Sequence, residues 1–413
     1  MRPFLSNVFV FFFLINFSAL SLMSQNGFGV EVFESEQKRN HNRFVGLRLN
    51  GGFMLPTDDF VRSFDLYERY YQSLTVRFGF RSTGESWLDR AFGMPYIGLG
   101  LSVIDFPAKR ANFGTPFALY MINGGTIHEF NSTFSLKYEW HLGASFNWKY
   151  YDAISNPQNI TIGSPLNAYA SVGAFVNWQI SPRIDMSFGA SVNHYSNGST
   201  RLPNRGMNQF SPFVELNYSL DKNANDRVRL NPNELPSTFK RRMDYDLMLT
   251  VSSHQITADS NYENLPARYI DYNFPIIGLS FTPLVVPNRR YKYGISLDFL
   301  YDKSRNVKVW EIEQNGNMLQ RISFAPPIER LSVGFSARGE MTMPLYTVFC
   351  NIGYNVFQLS EGTRAYQTIG IKVYPHENLY ATFAVRTTYF SQAKYIAWSV
   401  GYVFEGNPRR LRK

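Results

Sequence analysis

A single cysteine, Cys350, is all the sulfhydryl chemistry this chain of 413 residues carries. One thiol closes no intramolecular disulfide and builds no cysteine metal cluster, and no cysteine near residue 25 offers a lipidation site. Long apolar runs are missing as well. Beyond the first 25 residues no stretch reaches the roughly 18 apolar residues of a helical membrane span, and mean hydropathy is −0.24, so a helical membrane protein is excluded. Charge is scarce at 18%, and its net excess of +9 sits in clusters: Lys240-Arg241-Arg242, Arg289-Arg290 and the tail Arg409-Arg410-Leu411-Arg412-Lys413. Nucleic-acid binding needs a basic stripe on a recognisable fold, and neither is present. The clusters read as solvated turns and tail, with attraction to anionic lipid as a minor alternative. No glycine-rich phosphate loop, zinc spacing or paired-carboxylate motif stands out. His41, His128, His141, His254 and His376 are isolated and read as structural or solvated.

What the chain has in excess is aromatic surface, 16% of its residues, with 36 Phe and 26 Tyr. Low charge with abundant aromatics fits strands that face lipid on one side and a polar interior on the other, with aromatic girdles at both interfaces. A secreted soluble β-sandwich is the alternative. The first 25 residues set the compartment: Arg2 precedes the apolar run Val8 to Ile15, and small and polar residues follow through Ser24-Gln25. That order is a secretory signal peptide, and cleavage near Ser24 or Gln25 leaves a chain starting about Asn26. Without disulfides, barrel closure becomes the source of stability, since it pairs every backbone group.

From residue 43 the sequence alternates with period two in segments separated by Gly, Pro, Asn and Asp clusters. The first eight predicted strands are 43–54, 72–82, 95–106, 114–122, 132–149, 166–180, 183–196 and 208–220. The second eight are 243–256, 274–284, 290–313, 317–339, 344–357, 365–375, 378–390 and 394–405. The reading is therefore an all-β, transmembrane antiparallel outer-membrane barrel of about 14–16 strands. It spans 43–405, after a signal peptide (1–25) and an N-terminal segment (26–42), and a basic tail (406–413) follows. Four connections after even-numbered strands are short, as periplasmic turns should be: Ser181-Pro182, Val286 to Arg289, Gly339 to Met343 and Pro375 to Asn378. The connections after the second and fourth strands are of intermediate length, and the long polar stretch from Asp221 to Arg242 is the clear exception. It marks either a boundary between two eight-stranded barrels or an elaborated turn, and one barrel is expected.

The most regular alternation lies in 183–196. Ile184, Met186, Phe188, Ala190 and Val192 share one face, and Arg183, Asp185, Ser187, Gly189, Ser191 and Asn193 share the other. The first set meets lipid and the second the lumen. His194 and Ser196 continue the apolar set, and Asn208 falls in phase with Phe210, Pro212, Val214, Leu216 and Tyr218 on the next strand. Parity thus places His194, Ser196 and Asn208 on the outer wall near the external leaflet. A serine becomes a nucleophile when a neutral imidazole takes its proton and a third group holds the other ring nitrogen. Polar groups facing hydrocarbon are costly unless they lie near the interface or carry a function, and the natural substrate there is a lipid. The plain alternative is that strand ends and external loops are polar anyway.

The residues Asn193-His194-Tyr195-Ser196-Asn197-Gly198 and Leu202-Pro203-Asn204-Arg205-Gly206-Met207-Asn208 resemble the signature of the PagL-type lipid A deacylases. The resemblance is to their larger branch, the acyloxyacyl hydrolases found in Bacteroidetes. Leu166-Asn167-Ala168, Ile180-Ser181-Pro182-Arg183, Tyr366-Gln367-Thr368-Ile369-Gly370 and Gly401-Tyr402-Val403-Phe404 also resemble that branch. The resemblance implies hydrolysis of an acyl ester of lipid A (lipopolysaccharide) in the outer leaflet of the bacterial outer membrane, with no metal or organic cofactor. By motif position it implies His194 as general base, Ser196 as nucleophile, and Asn204 or backbone N–H groups near Asn197 and Gly198 as oxyanion donors. The best-known members place a glutamate where this sequence has Asn208. An amide accepts the imidazole N–H but cannot offset the imidazolium charge. Glu215 has the opposite parity and cannot substitute. The change leaves a slower enzyme, an enzyme recruiting another carboxylate, or a barrel without activity. Asparagine is usual here in the larger branch, which favours the first. Two readings from other classes stand beside this one: a non-catalytic barrel moving solutes or hydrophobic molecules, and a scaffold whose hairpin around Glu313-Gln314-Asn315-Gly316-Asn317 binds partners.

Overall fold

The computed structural model describes residues 41–406 apart from 84–91, 109, 111, 222–240, 258–269, 271, 315–316, 344–345 and 390–391. The expected signal peptide, nearly all of segment 26–42, the tail beyond residue 406 and most of the stretch 221–242 lie outside the described residues. No helix among the described residues is long and apolar enough to cross a membrane.

The strands β1 (His41–Met54), β2 (Tyr70–Ser82), β3 (Tyr96–Asp105), β4 (Phe117–Glu129), β5 (Phe134–Phe146), β6 (Asn167–Gln179), β7 (Ile184–Ser196) and β8 (Met207–Ser219) pair antiparallel in order. β8 then returns to β1, from Phe44 opposite Ser219 to Met54 opposite Gln209, and the sheet closes at eight strands. A second closed barrel follows: β9 (Arg242–His254), β10 (Phe274–Val286), β11 (Tyr291–Asp302), β14 (Leu331–Thr342), β15 (Thr347–Gln358), β16 (Ala365–Val373), β17 (Leu379–Thr388) and β18 (Gln392–Glu405). Here β18 closes on β9. The expectation of one sixteen-stranded barrel is therefore corrected to two of eight. Local alternation is identical in both arrangements, and what distinguishes them is closure of β1 on β8 and of β9 on β18 in place of β8 on β9 and β18 on β1.

Two predicted strands also break. The run 290–313 stops at Asp302, whose carboxylate accepts from Ser304 N (3.0 Å) and Ser304 Oγ (2.7 Å) and so makes a side-chain-closed turn. The run 317–339 is interrupted at Ala325-Pro326-Pro327, where proline removes ladder donors and a 3-10 turn, Pro327–Arg330, intervenes. Between the breaks, β12 (Lys308–Gln314) and β13 (Asn317–Ser323) form a separate two-stranded sheet.

Alternation places the side chains as the sequence requires. Along β8, Gln209, Ser211, Phe213, Glu215, Asn217 and Ser219 are buried, while Phe210, Pro212, Val214, Leu216 and Tyr218 are exposed on the outer wall. In the first barrel's interior, Arg48 and Arg77 pair with Glu139 and Glu215, every one of the four being at most 2% exposed. Arg77 Nη2 to Glu139 Oε2 is 2.8 Å, Arg48 Nε to Glu215 Oε2 is 2.5 Å, and the Arg48 guanidinium stacks 3.7 Å from the Phe213 ring. Asp185 pairs with Arg81, as a lumen-facing residue should. Arg183 departs from its expected lumen position: it lies in the turn before β7 and donates to the outward Tyr218 hydroxyl at 3.2 Å. The second barrel repeats the device. Lys372 bonds Glu340 at 2.6 Å and pairs with Asp246, Arg338 lies 3.0 Å from Glu340, and Asp298 accepts from Ser296, Ser336 and Tyr366.

Candidate active site

β7 and β8 hold His194 directly opposite Asn208 in register, on the outward row that parity predicts. Neighbours across an antiparallel pair lie close enough for their side chains to meet. His194 Nδ1 lies 2.7 Å from Asn208 Oδ1. An amide oxygen only accepts, so the shared proton belongs to Nδ1 and the lone pair to Nε2. The other end of the amide is also engaged: Asn208 Nδ2 donates to Thr57 Oγ1 at 3.0 Å.

Ser196 keeps the register of the outward row, opposite Ala168 as His194 is opposite Ala170, yet it is not open to lipid. Tyr195 and Ser196, consecutive at the end of β7, are both buried, at 3% and 8% exposure, and the connection 197–206 follows them directly. That connection wraps the serine. Gly198 N donates to Ser196 Oγ at 3.1 Å and Asn204 Nδ2 donates to it at 2.8 Å. Gly198 has φ +60 and Ser199 φ +64, a left-handed pair that turns the Gly198 N–H back toward the hydroxyl. Asn204 is fixed from its other end, where its Oδ1 accepts from Asn197 N at 3.3 Å. Asn197 in turn donates through Nδ2 to Arg201 O (2.8 Å) and Ser164 Oγ (3.2 Å), which pins the loop on itself and on the connection before β6.

The imidazole rests against Gly206. A Cβ built there would stand 2.8 Å from His194 Cε1, and the residue's φ of +78 suits glycine in any case. Gly206 N donates to Thr161 O (2.9 Å), and Thr161 Oγ1 donates to Asp58 Oδ2 (2.9 Å). Asp58 also caps the short helix α1 (Asp59–Arg62) by accepting from Val61 N at 3.0 Å. Three connections at one end of the first barrel are thereby tied around the His194–Asn208 pair. No hydrogen bond joins His194 to Ser196, and Nε2 is the ring nitrogen left without a partner among the described residues.

All six residues singled out from the sequence, His194, Ser196, Asn208, Asn197, Gly198 and Asn204, therefore gather at one strand end. Glu215 lies in the lumen, 2% exposed and bound to Arg48 and Arg77, so it is not a third member in place of Asn208. Sequence reasoning missed Thr57 and Gly206. Gly206 lies within the motif Leu202 to Asn208. Thr57 is 151 positions from Asn208, and only closure of β1 on β8 brings them together.

The family described as "Lipid A 3-O-deacylase (PagL)" matches residues 68–220, from the connection before β2 to the end of β8. The family described as "Acyloxyacyl hydrolase, C-terminal domain" matches residues 243–407, which is the second barrel. No curated protein matches the chain. Among solved structures it is similar to the outer membrane enzyme PagL, at 16% identity over 41% of this chain and 97% of that one, with a TM-score of 0.28. It is also similar to the β domain of the Bordetella autotransporter BrkA (9% identity, 88% and 98% covered, TM-score 0.22). A third is an outer membrane channel from Pseudomonas putida F1 (8% identity, 90% and 99% covered, TM-score 0.21). With one profile on each barrel and the motif residues gathered at a strand end, the chain belongs to the PagL-type lipid A deacylase and acyloxyacyl hydrolase family of bacterial outer-membrane β-barrels.

Proposed function

We propose that the first barrel is a serine esterase that hydrolyses an acyl ester of lipid A in the outer leaflet. The observation that carries this reading is the state of the imidazole. With Nδ1 engaged by Asn208 Oδ1 at 2.7 Å, Nε2 is the bare nitrogen, two residues along the strand from a serine hydroxyl that already accepts two N–H donors. A base must carry its lone pair on the side of the nucleophile, and this tautomer does.

In the reaction, Ser196 Oγ attacks the ester carbonyl as its proton passes to His194 Nε2. The N–H of Gly198 and the Asn204 amide, which hold the hydroxyl oxygen at rest, lie within reach of the oxyanion that forms beside it. Collapse of the tetrahedral species expels the sugar alkoxide, which takes the proton from the imidazolium. Water, activated by the same Nε2, then releases the fatty acid from Ser196. The imidazole swings toward Oγ when substrate enters, consistent with catalytic hydrogen bonds tightening only in the complex. Asn208 orients the ring without neutralising it, so turnover is slower than a carboxylate at that position would give. The outward row on which His194 sits meets lipid, and an acyl chain reaches it without leaving the membrane.

Mass spectrometry of lipid A from cells expressing the chain tests this. Wild type removes one acyl chain, and Ser196→Ala removes none. Acyl loss persisting in Ser196→Ala would sink the assignment.

A further inference from the structure

Asn208 raises a problem that a carboxylate does not. The two oxygens of a glutamate are equivalent acceptors, so either rotation leaves an acceptor against the histidine. The two ends of an amide are not equivalent. If the Asn208 amide turns over, its NH2 group faces His194 Nδ1, which then becomes the acceptor, and the ring proton moves to Nε2. That tautomer has no lone pair for Ser196. An asparagine can serve here only where something decides which way its amide points.

We infer that Thr57 is that device: a positioning residue that holds the Asn208 amide with its oxygen toward His194 and thereby selects the base-competent tautomer. The inference rests on the esterase reading of the site. Its geometry lies outside the matched segment 68–220, in the connection that follows β1. Thr57 Oγ1 accepts from Asn208 Nδ2 at 3.0 Å, while its own hydroxyl proton is directed to Leu55 O at 3.5 Å. With the proton turned to the carbonyl, the oxygen presents a lone pair to Asn208, and a lone pair calls for the NH2 end. Leu55 supplies the frame, because its N–H donates to the backbone carbonyl of Asn208 at 2.8 Å. The acceptor is thus carried on a segment bonded to the very residue it orients. On the following side Asp58 anchors the segment by capping α1 and accepting from Thr161. The relay runs from His194 Nδ1–H to Asn208 Oδ1, from Asn208 Nδ2–H to Thr57 Oγ1, and from Thr57 Oγ1–H to Leu55 O.

The experiment reads the tautomer directly and the activity beside it. Protein with 15N-labelled histidine in bicelles, with His194 assigned by difference against His194→Gln, reports which ring nitrogen carries the proton without any substrate. In the wild type Nδ1 is protonated and Nε2 bare. In Thr57→Val the ratio of Nε2- to Nδ1-protonated forms rises about fivefold, the worth of one ordinary hydrogen bond, and kcat on lipid A falls in proportion to the Nδ1-protonated share that remains, by at most that factor, with KM unchanged. Thr57→Ser restores both, and the heat-dependent gel migration of a closed barrel confirms that each variant folds. The decisive arm is the Asn208→Glu background. A carboxylate needs no orientation, so adding Thr57→Val there changes kcat by less than about twofold. A single Nδ1-protonated form with wild-type kcat in Thr57→Val overturns the inference. So does an equal loss of kcat in the Asn208→Glu background, which would make Thr57 a loop-shaping residue only. An active Ser196→Ala would instead remove the esterase reading while leaving the tautomer result standing.

Discussion

Around Ser196, each side chain that touches the hydroxyl is itself held from behind. Asn204 is the clearest case, with Nδ2 on Ser196 Oγ and Oδ1 on Asn197 N. Because the amide cannot turn without losing both bonds, it stands ready as a donor before substrate arrives. Removing one such preorganised donor commonly lowers kcat by about 100-fold or more. Asn204→Ala is therefore expected to reduce kcat on lipid A by about that factor with little change in KM, since the donor acts on charge that develops only in the transition state. An unchanged kcat would move the oxyanion site elsewhere. At this scale the sequence was partly legible. Parity alone placed His194 and Asn208 on one row, and the motif named Ser196, Asn197, Gly198 and Asn204. The burial of Ser196 lay beyond parity, because alternation assigns a face and not what covers it, and here the connection after β7 supplies both donors to the hydroxyl. Thr57 was out of reach for a different reason. Its place depends on which strand pairs with β1, and a single sixteen-stranded barrel would have set β1 against the last strand rather than against β8.

The strands were legible as elements because each carries a strict apolar and polar alternation, as in β8. Two breaks were not, since Asp302-Lys303-Ser304 and Ala325-Pro326-Pro327 are short turn signals inside long alternating runs. What the alternation could not reveal was how the inward rows interlock. Glu215 on β8 meets Arg48 on β1 and Arg77 on β2, and those arginines also hold Glu139 on β5. The four charges are balanced, and each cation has two carboxylate neighbours. Breaking a buried pair by removing one partner typically costs about 3–5 kcal/mol, because the remaining charge stays buried and uncompensated. Glu215→Ala leaves two arginines sharing one carboxylate. Its urea unfolding midpoint in detergent is expected to fall by an amount corresponding to that range, and a double variant with Arg48→Met should recover part of the loss. A wild-type midpoint in Glu215→Ala would mean that solvent reaches the quartet. This network joins β1, β2, β5 and β8, so it bears on closure of the first barrel rather than on the chemistry at its end.

Whole barrels differ by strand number in what they can enclose. A sheet of eight strands leaves an interior just wide enough for side chains, whereas sixteen to eighteen strands leave an aqueous channel. In the first barrel the lumen is crossed by the arginine–glutamate quartet, and toward the long connections it is filled by Phe60, Phe106, Phe113, Trp148 and Tyr195, all buried. The rings pack edge to face and tilted, with Phe106 and Phe113 centroids 5.2 Å apart and Trp148 and Tyr195 5.0 Å apart. The second barrel is crossed by Arg338, Glu340, Lys372 and Asp246, with Phe349 and Tyr380 buried beside them. Interiors crossed by paired charges and packed rings are expected to deny an ion a continuous wet path, since moving a charged side chain aside breaks a buried ion pair. Purified chain in planar lipid bilayers is therefore expected to give no stepwise conductance, at any voltage below that which ruptures the membrane. Regular, voltage-independent steps would contradict the filled lumens and restore the channel reading. Silence would direct attention to the outer wall, where His194 and Asn208 stand on a row otherwise made of Val192, Phe210 and Val214.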